Sequence, residues 1–118
     1  MYQIFKKMKP KINFSEFLSI QDKLEIKVGR ICVVQEVPKS KKLLQLTVDF
    51  DEEHLRTVVT NIKEHVFESD LINKKFAFIT NLEPVTMMGI ESRAMIVPGD
   101  VENGVLATVT APEGTILI

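Results

Sequence analysis

Hydrophobic positions change their period along the chain, and each change marks an element. In "NFSEFLSIQ", Phe14, Phe17 and Leu18 fall on one helical face. Asn13 suits the N-cap, with Glu16 three residues on as its capping-box partner. The spacing predicts a short helix over about 14–20, packed onto whatever follows. From Leu24 the period becomes two, the signature of a half-buried strand. Leu24, Ile26 and Val28 alternate with Glu25 and Lys27; after Gly29 the phase flips, and Ile31 and Val33 become the apolar set. A phase flip at a glycine is what a bulge or a barrel corner leaves in sequence.

Further strands follow. "LLQLTVDF" places Leu44, Leu46, Val48 and Phe50 on one face. The polar "DEEH" reads as a hairpin connection to "LRTVVTNI". "KEHVFESDLIN" has Val66, Phe67 and Leu71 at near-helical spacing, which predicts a short helix or helical turns. "KKFAFITNL" and "ESRAMIV" are the fourth and fifth strands, and "GVLATVT" and "TILI" are two more short extended pieces near the C-terminus. Five short strands with a helical insert between the third and fourth is the order of an OB-fold barrel, although a small sandwich also suits the periodicity. The fold class predicted is therefore all-β: a five-stranded barrel, a short N-terminal helix, a short helix between strands three and four, and a C-terminal β extension. Residues 1–12 read as a basic lead-in and 13–118 as one domain with its core over 22–98.

With 118 residues, one domain is the natural reading. A single cysteine, Cys32, leaves no intrachain disulfide and speaks against a structural zinc site. No apolar run approaches the roughly 20 residues that span a bilayer, and no secretory pattern opens the chain. These features predict a cytoplasmic protein without a membrane partner. The net charge of −1 hides an asymmetry. Residues 1–47 hold ten Lys/Arg against four acids, and residues 48–118 hold five against twelve. Such a split can mark a polyanion-binding face, but halves of a sequence are not surfaces and folding can mix them.

The residues speak against an enzyme. His54 and His65 form no triad or metal-ligand spacing and read as surface histidines. Cys32 in "RICVV" reads as a small buried hydrophobe. Asp49, Asp51, Glu52 and Glu53 lack the glycine and spacing of a calcium loop. No cofactor or metal is expected. "PKSKKL" joins the first two strands and carries Lys39, Lys41 and Lys42. In an OB fold that connection lies over the ligand face, where ammonium groups would meet phosphates as point charges. A solvated turn is the plainer alternative. Lys27 and Arg30 could extend the patch. Most Phe residues fall at apolar strand positions, so no exposed aromatic platform is expected. A nucleic-acid ligand would then be read by shape and backbone more than by its bases.

The run "VGRI…VPKSKKLLQLTVDF…RTVVTNI…LINKKFAFITNLEPVTMMGIESRAMIV", within about residues 22–98, resembles the tRNA-binding OB domain. That domain occurs as free-standing dimeric tRNA-binding proteins, as the C-terminal extension of methionyl-tRNA synthetase, and in synthetase-associated factors. Its typical "NL.P…GIES.GM" is matched by Asn81, Leu82, Pro84, Gly89, Ile90, Glu91, Ser92 and Met95. In the first loop Pro38, Lys42 and Leu43 keep the family pattern, and Lys41 replaces its Asp. Asn61 and Asn73 stand where the family has Gly; Asn is the side chain best able to hold a left-handed backbone there. Met88 replaces a usual basic residue, and Arg93-Ala94 replaces Gln-Gly. The resemblance implies non-catalytic binding of folded tRNA, a homodimer, and an aminoacyl-tRNA synthetase as a candidate partner. It implies RNA contacts from Arg30, Lys39, Lys41, Lys42, Ser92 and Arg93, with Ser92 as a hydrogen-bond donor. Met87, Ala94 and Met95 read as packing, Gly89 as a backbone requirement, and Glu91 as a bond to local backbone. Apolar surplus at Phe14–Ile20 and Val105–Ile118 could pair the chains. A sister branch, the CsaA-type export chaperones, shares the fold and the short helix before strand one. It binds unfolded polypeptide, and it departs from the "GIES.GM" motif that this chain nearly keeps.

Overall fold

A computed structural model describes residues 8–118; most of the basic lead-in lies outside the described residues. Helix α1 (Phe14–Lys23) runs three residues past its expected end. Asn13 caps it, its side chain accepting from the Glu16 amide at 2.8 Å, while Glu16 accepts from the Asn13 side-chain amide at 3.4 Å. The helix buries no residue, contrary to the packing expected of it, and Phe14, Phe17, Leu18 and Ile20 stay exposed.

The strands are β1 (Ile26–Glu36), β2 (Leu44–Asp49), β3 (Arg56–Thr60), β4 (Lys75–Ile79), β5 (Val85–Met87), β6 (Ile90–Ser92) and β7 (Met95–Val97). Five of them form a curled antiparallel sheet in the order β3-β2-β1-β4-β7, the OB-like half-barrel that the sequence predicted. The fifth expected strand divides at Arg93-Ala94 into β6 and β7. Before it stands a hairpin that the periodicity did not show: β5 and β6 pair through a two-residue tip, Met88-Gly89, at φ +51° and +80°. Two positive φ values make this the tip geometry that suits the twist of paired strands, and Asn-Gly is its usual sequence. The expected helix between β3 and β4 is two short 3-10 turns, at Lys63–His65 and Glu68–Asp70. The C-terminal β extension is an irregular wrap with one isolated bridge, Lys27 to Ile116. It donates from Leu117 to the Ile26 carbonyl at 2.7 Å and from Gly114 to the Val28 carbonyl at 2.8 Å.

The apparent phase flip at Gly29 has a different cause from the one expected. The register of β1 shifts between Ile31 and Val33, so the bulge sits at Cys32, which is half-buried. Val28 is buried on the outer face, where the C-terminal segment bonds the same strand. Gly29 faces the interior, and a Cβ there would lie 2.6 Å from atoms of Phe50 and Val48 and 2.9 Å from Phe78. The interior phase thus runs through Gly29 and Ile31, and its missing side chain is supplied by two neighbouring rings. Beyond the bulge Val34 packs on the core and Val33 is exposed, not buried as the pattern implied. Phe50 and Phe78 meet edge to face at 5.1 Å between centroids, an arrangement that adds about 1 kcal/mol to their burial. Leu44, Leu46 and Val48 join them from β2 as expected, with Val58, Leu71, Phe76 and Ile96. Asn73 does hold φ +60°, whereas Asn61 is not in the left-handed region.

Gly29→Ala is expected to lower the unfolding free energy by about 2–3 kcal/mol through overpacking. Urea denaturation tests this; an unchanged midpoint would show that Phe50 and Phe78 can yield without loss.

Candidate nucleic-acid interface

The β1–β2 connection is a fixed platform for its lysines. Ser40 N–H donates to the Val37 carbonyl at 3.1 Å, closing a turn over Pro38-Lys39 with Lys39 at φ +66°. A proline followed by positive φ is the type II pattern, where Gly or Asn is the usual third residue. The Ser40 hydroxyl then accepts from Leu43 N–H at 3.0 Å. Lys39, Lys41 and Lys42 are exposed and in no ion pair among the described residues. Sequence reasoning missed a fourth lysine: Lys63 N–H donates to the Lys42 carbonyl, and its ammonium reaches the Ser40 carbonyl at 3.3 Å and Glu36 at 3.5 Å. No motif marks Lys63; only the pairing of Leu44 with Thr60 brings its turn beside the loop.

The other expected contacts are not gathered there. Arg30 lies six residues before the end of β1, about 20 Å from the loop along an extended strand. Its guanidinium donates to Glu113 at 2.8 Å and Asp49 at 3.3 Å, and the Glu113 bond leads the causes that raise its pKa above the usual arginine value. Lys27 is on the opposite face of β1 and pairs with Glu52 at 3.4 Å. Ser92 is buried at 6% exposure. Its hydroxyl accepts from Val59 N–H at 2.9 Å and donates to the Ala94 carbonyl at 3.1 Å. Together with Arg93 N–H donating to Thr57, it joins the hairpin to the free edge of β3 where no strand ladder forms. Arg93 itself is half-exposed and pairs with Glu91 at 2.6 Å, so Glu91 meets a side chain and not backbone. Met95, expected to pack, is 56% exposed; Ala94 is buried as expected.

Arg56 holds this corner. One nitrogen donates to the carbonyls of Thr80 at 2.7 Å and Arg93 at 3.1 Å, and the other two donate to Glu52 at 2.8 and 2.7 Å. Its guanidinium carbon also lies 5.2 Å from the centre of the Phe50 ring. Glu52 is held below the ordinary glutamate value, chiefly by the Arg56 hydrogen bond. The available signal was an arginine four residues after a glutamate at the mouth of a predicted hairpin.

Residues 26–116 match the family model described as "Putative tRNA binding domain". The chain belongs to this tRNA-binding domain family. The match takes in the lysine loop, the Arg56 corner and the β5–β6 hairpin. A methionine–tRNA ligase of Methanococcus aeolicus is 44% identical over 95 residues, covering 78% of this chain. The chain spans only 14% of that ligase, so the family match concerns a binding domain and not the whole enzyme. Among solved structures, a MetRS-related protein from Pyrococcus horikoshii is 31% identical, with a TM-score of 0.77 over 93% of this chain and 100% of that one. The chaperone CsaA of Bacillus anthracis shares the fold, at 23% identity and a TM-score of 0.69 over 92% of this chain and 100% of that one. No described helix is long and apolar enough to cross a membrane.

Ser92→Ala would leave the buried Val59 amide unpaired, at an expected loss of about 1–3 kcal/mol. Hydrogen exchange at Val59 should quicken accordingly. Unchanged protection there would mean that the hydroxyl does not carry the join.

Proposed function

We propose that this chain is a non-catalytic, cytoplasmic tRNA-binding protein that grips the backbone of folded tRNA through its β1–β2 loop. One observation carries the reading: three exposed ammonium groups, Lys39, Lys41 and Lys42, stand outside any described ion pair on a loop braced by Ser40. Lys63 supports that loop from below. Arg93 supplies a second contact about 10 Å further along β3, three residues from Thr60 toward Thr57. Arg30 and Ser92 act inside the fold in this reading, because Arg30 is paired with Glu113 and Asp49 and the Ser92 hydroxyl is buried and donates to Ala94. The ligase relatives support an aminoacyl-tRNA synthetase as a further partner. Lys41→Ala with Lys42→Ala is expected to weaken tRNA binding and to flatten the slope of log affinity against log salt by about 1–2 units. Titration across a salt series measures both, and an unchanged slope would move the phosphate contacts elsewhere.

A homodimer is part of the proposal. Phe14, Phe17, Leu18 and Ile20 are exposed on α1, and Ile116 and Leu117 are exposed beside the start of β1, into which α1 leads. An apolar surface of this kind is what a partner covers. Phe14→Glu with Phe17→Glu should give monomers in sedimentation; a double variant that stays dimeric would place the interface elsewhere. The same surface is the specific observation favouring the second reading, a chaperone that holds unfolded polypeptide.

A further inference from the structure

The seam between β3 and β7 is open. Strand β7 pairs with β4 on one side only, and β3 is met by the Ser92 hydroxyl and Arg93 amide instead of a ladder. Two hollows lie along this seam, of about 160 Å³ and 350 Å³. Val59, Met87 and Met95 line both, so the hollows form one trough divided by the two methionines. At one end Leu82 continues into the recess that Arg93 lines. At the other, Asn61 and Ile62 continue into the recess that Lys42 lines. The middle is apolar, and a cation stands at each end.

We propose that this trough binds unstacked nucleobases of the RNA, with Met87 and Met95 against the base faces and with Lys42 and Arg93 on the flanking phosphates. The inference rests on the tRNA-binding reading and names the part of the ligand that this seam takes. Its charge pattern fits a single-stranded nucleotide run, which is anionic at regular intervals and apolar between them. Glu83 lines the first hollow, Glu64 and Glu102 share the Lys42 recess and Glu52 and Glu53 share the Arg93 recess, so a phosphate is favoured only in direct contact with either cation. Thioether sulfur makes favourable contacts with aromatic rings, and base stacking on side chains tolerates any sequence. The barrel needs such a substitute, because the strand phenylalanine Phe76 and Phe78, with Phe50 just beyond β2, are all buried. Among the described residues the exposed aromatics are Phe14, Phe17 and Phe67, and all lie outside the strands. Met95 lines both hollows and is 56% exposed.

Methyl NMR tests this directly, since the chain has five methionines, at 1, 8, 87, 88 and 95. Unfractionated tRNA, a short single-stranded RNA, a duplex RNA and a reduced, alkylated unfolded protein are the probes. Met87 and Met95 methyl signals should move upfield, by ring current, with tRNA and with the single strand but not with the duplex. Met95→Ser should weaken single-strand binding about tenfold and leave duplex binding and thermal unfolding unchanged. If Met87 and Met95 stay still while the Lys41/Lys42 variant still weakens tRNA binding, the trough proposal falls and the tRNA reading stands. Equal weakening toward duplex would also overturn it. If no RNA binds and the unfolded protein alone shifts these methyls, both readings fall together.

Discussion

A missing side chain organises the barrel. Strand β1 pairs with β4 through residues 26–30 and with β2 through residues 30–36, so it passes from one partner to the other beside Gly29. At that crossing the interior slot is empty of any Cβ and is filled from both sides by Phe50 and Phe78. The two rings belong to the segments on either side of β1, so their contact ties the curled sheet to itself across its own central strand. Close packing at native density leaves no room for a methyl group there. The Arg56 guanidinium lies over the Phe50 ring, and Arg56 fixes the carbonyls of Thr80 and Arg93. The chain of contact from Gly29 to the Arg56 corner is therefore continuous.

At the far edge the fold uses side chains where a ladder would otherwise run. Ser92 takes the Val59 amide, Arg56 takes two carbonyls, and both leave the seam hollow between them open. Two kinds of cation result. Lys27, Arg30 and Arg56 are engaged with carboxylates and hold the barrel, whereas the lysines of the β1–β2 loop are exposed on a braced turn. Sequence charge alone does not distinguish these classes; the ion-pair partners do.

Much of the barrel was legible in the sequence. The alternation of Leu44, Leu46 and Val48 needed no tertiary knowledge, because β2 has one buried and one wetter face. The Gly29 region misled because a strand covered on both sides shows apolar residues in both phases, and because its interior residue belongs to other strands. The β5–β6 hairpin escaped because its strands are three residues long and its tip is Met-Gly. For the site, the loop lysines could be read locally, since exposure of a polar turn follows from composition. Ser92 could not: its hydroxyl is claimed by an amide 33 residues away in sequence. Arg93 shares that motif, yet its side chain points to a half-exposed pairing with Glu91.

Lys39 and Met88 share one property that neither sequence nor charge reveals. Both hold a left-handed backbone at an exposed turn, where asparagine or glycine is lower in energy. Selection for foldedness alone pushes both positions toward Asn or Gly. A thermostabilised version of this protein, built by replacing both with asparagine or glycine, would keep its core intact and remove one exposed ammonium group from the β1–β2 loop.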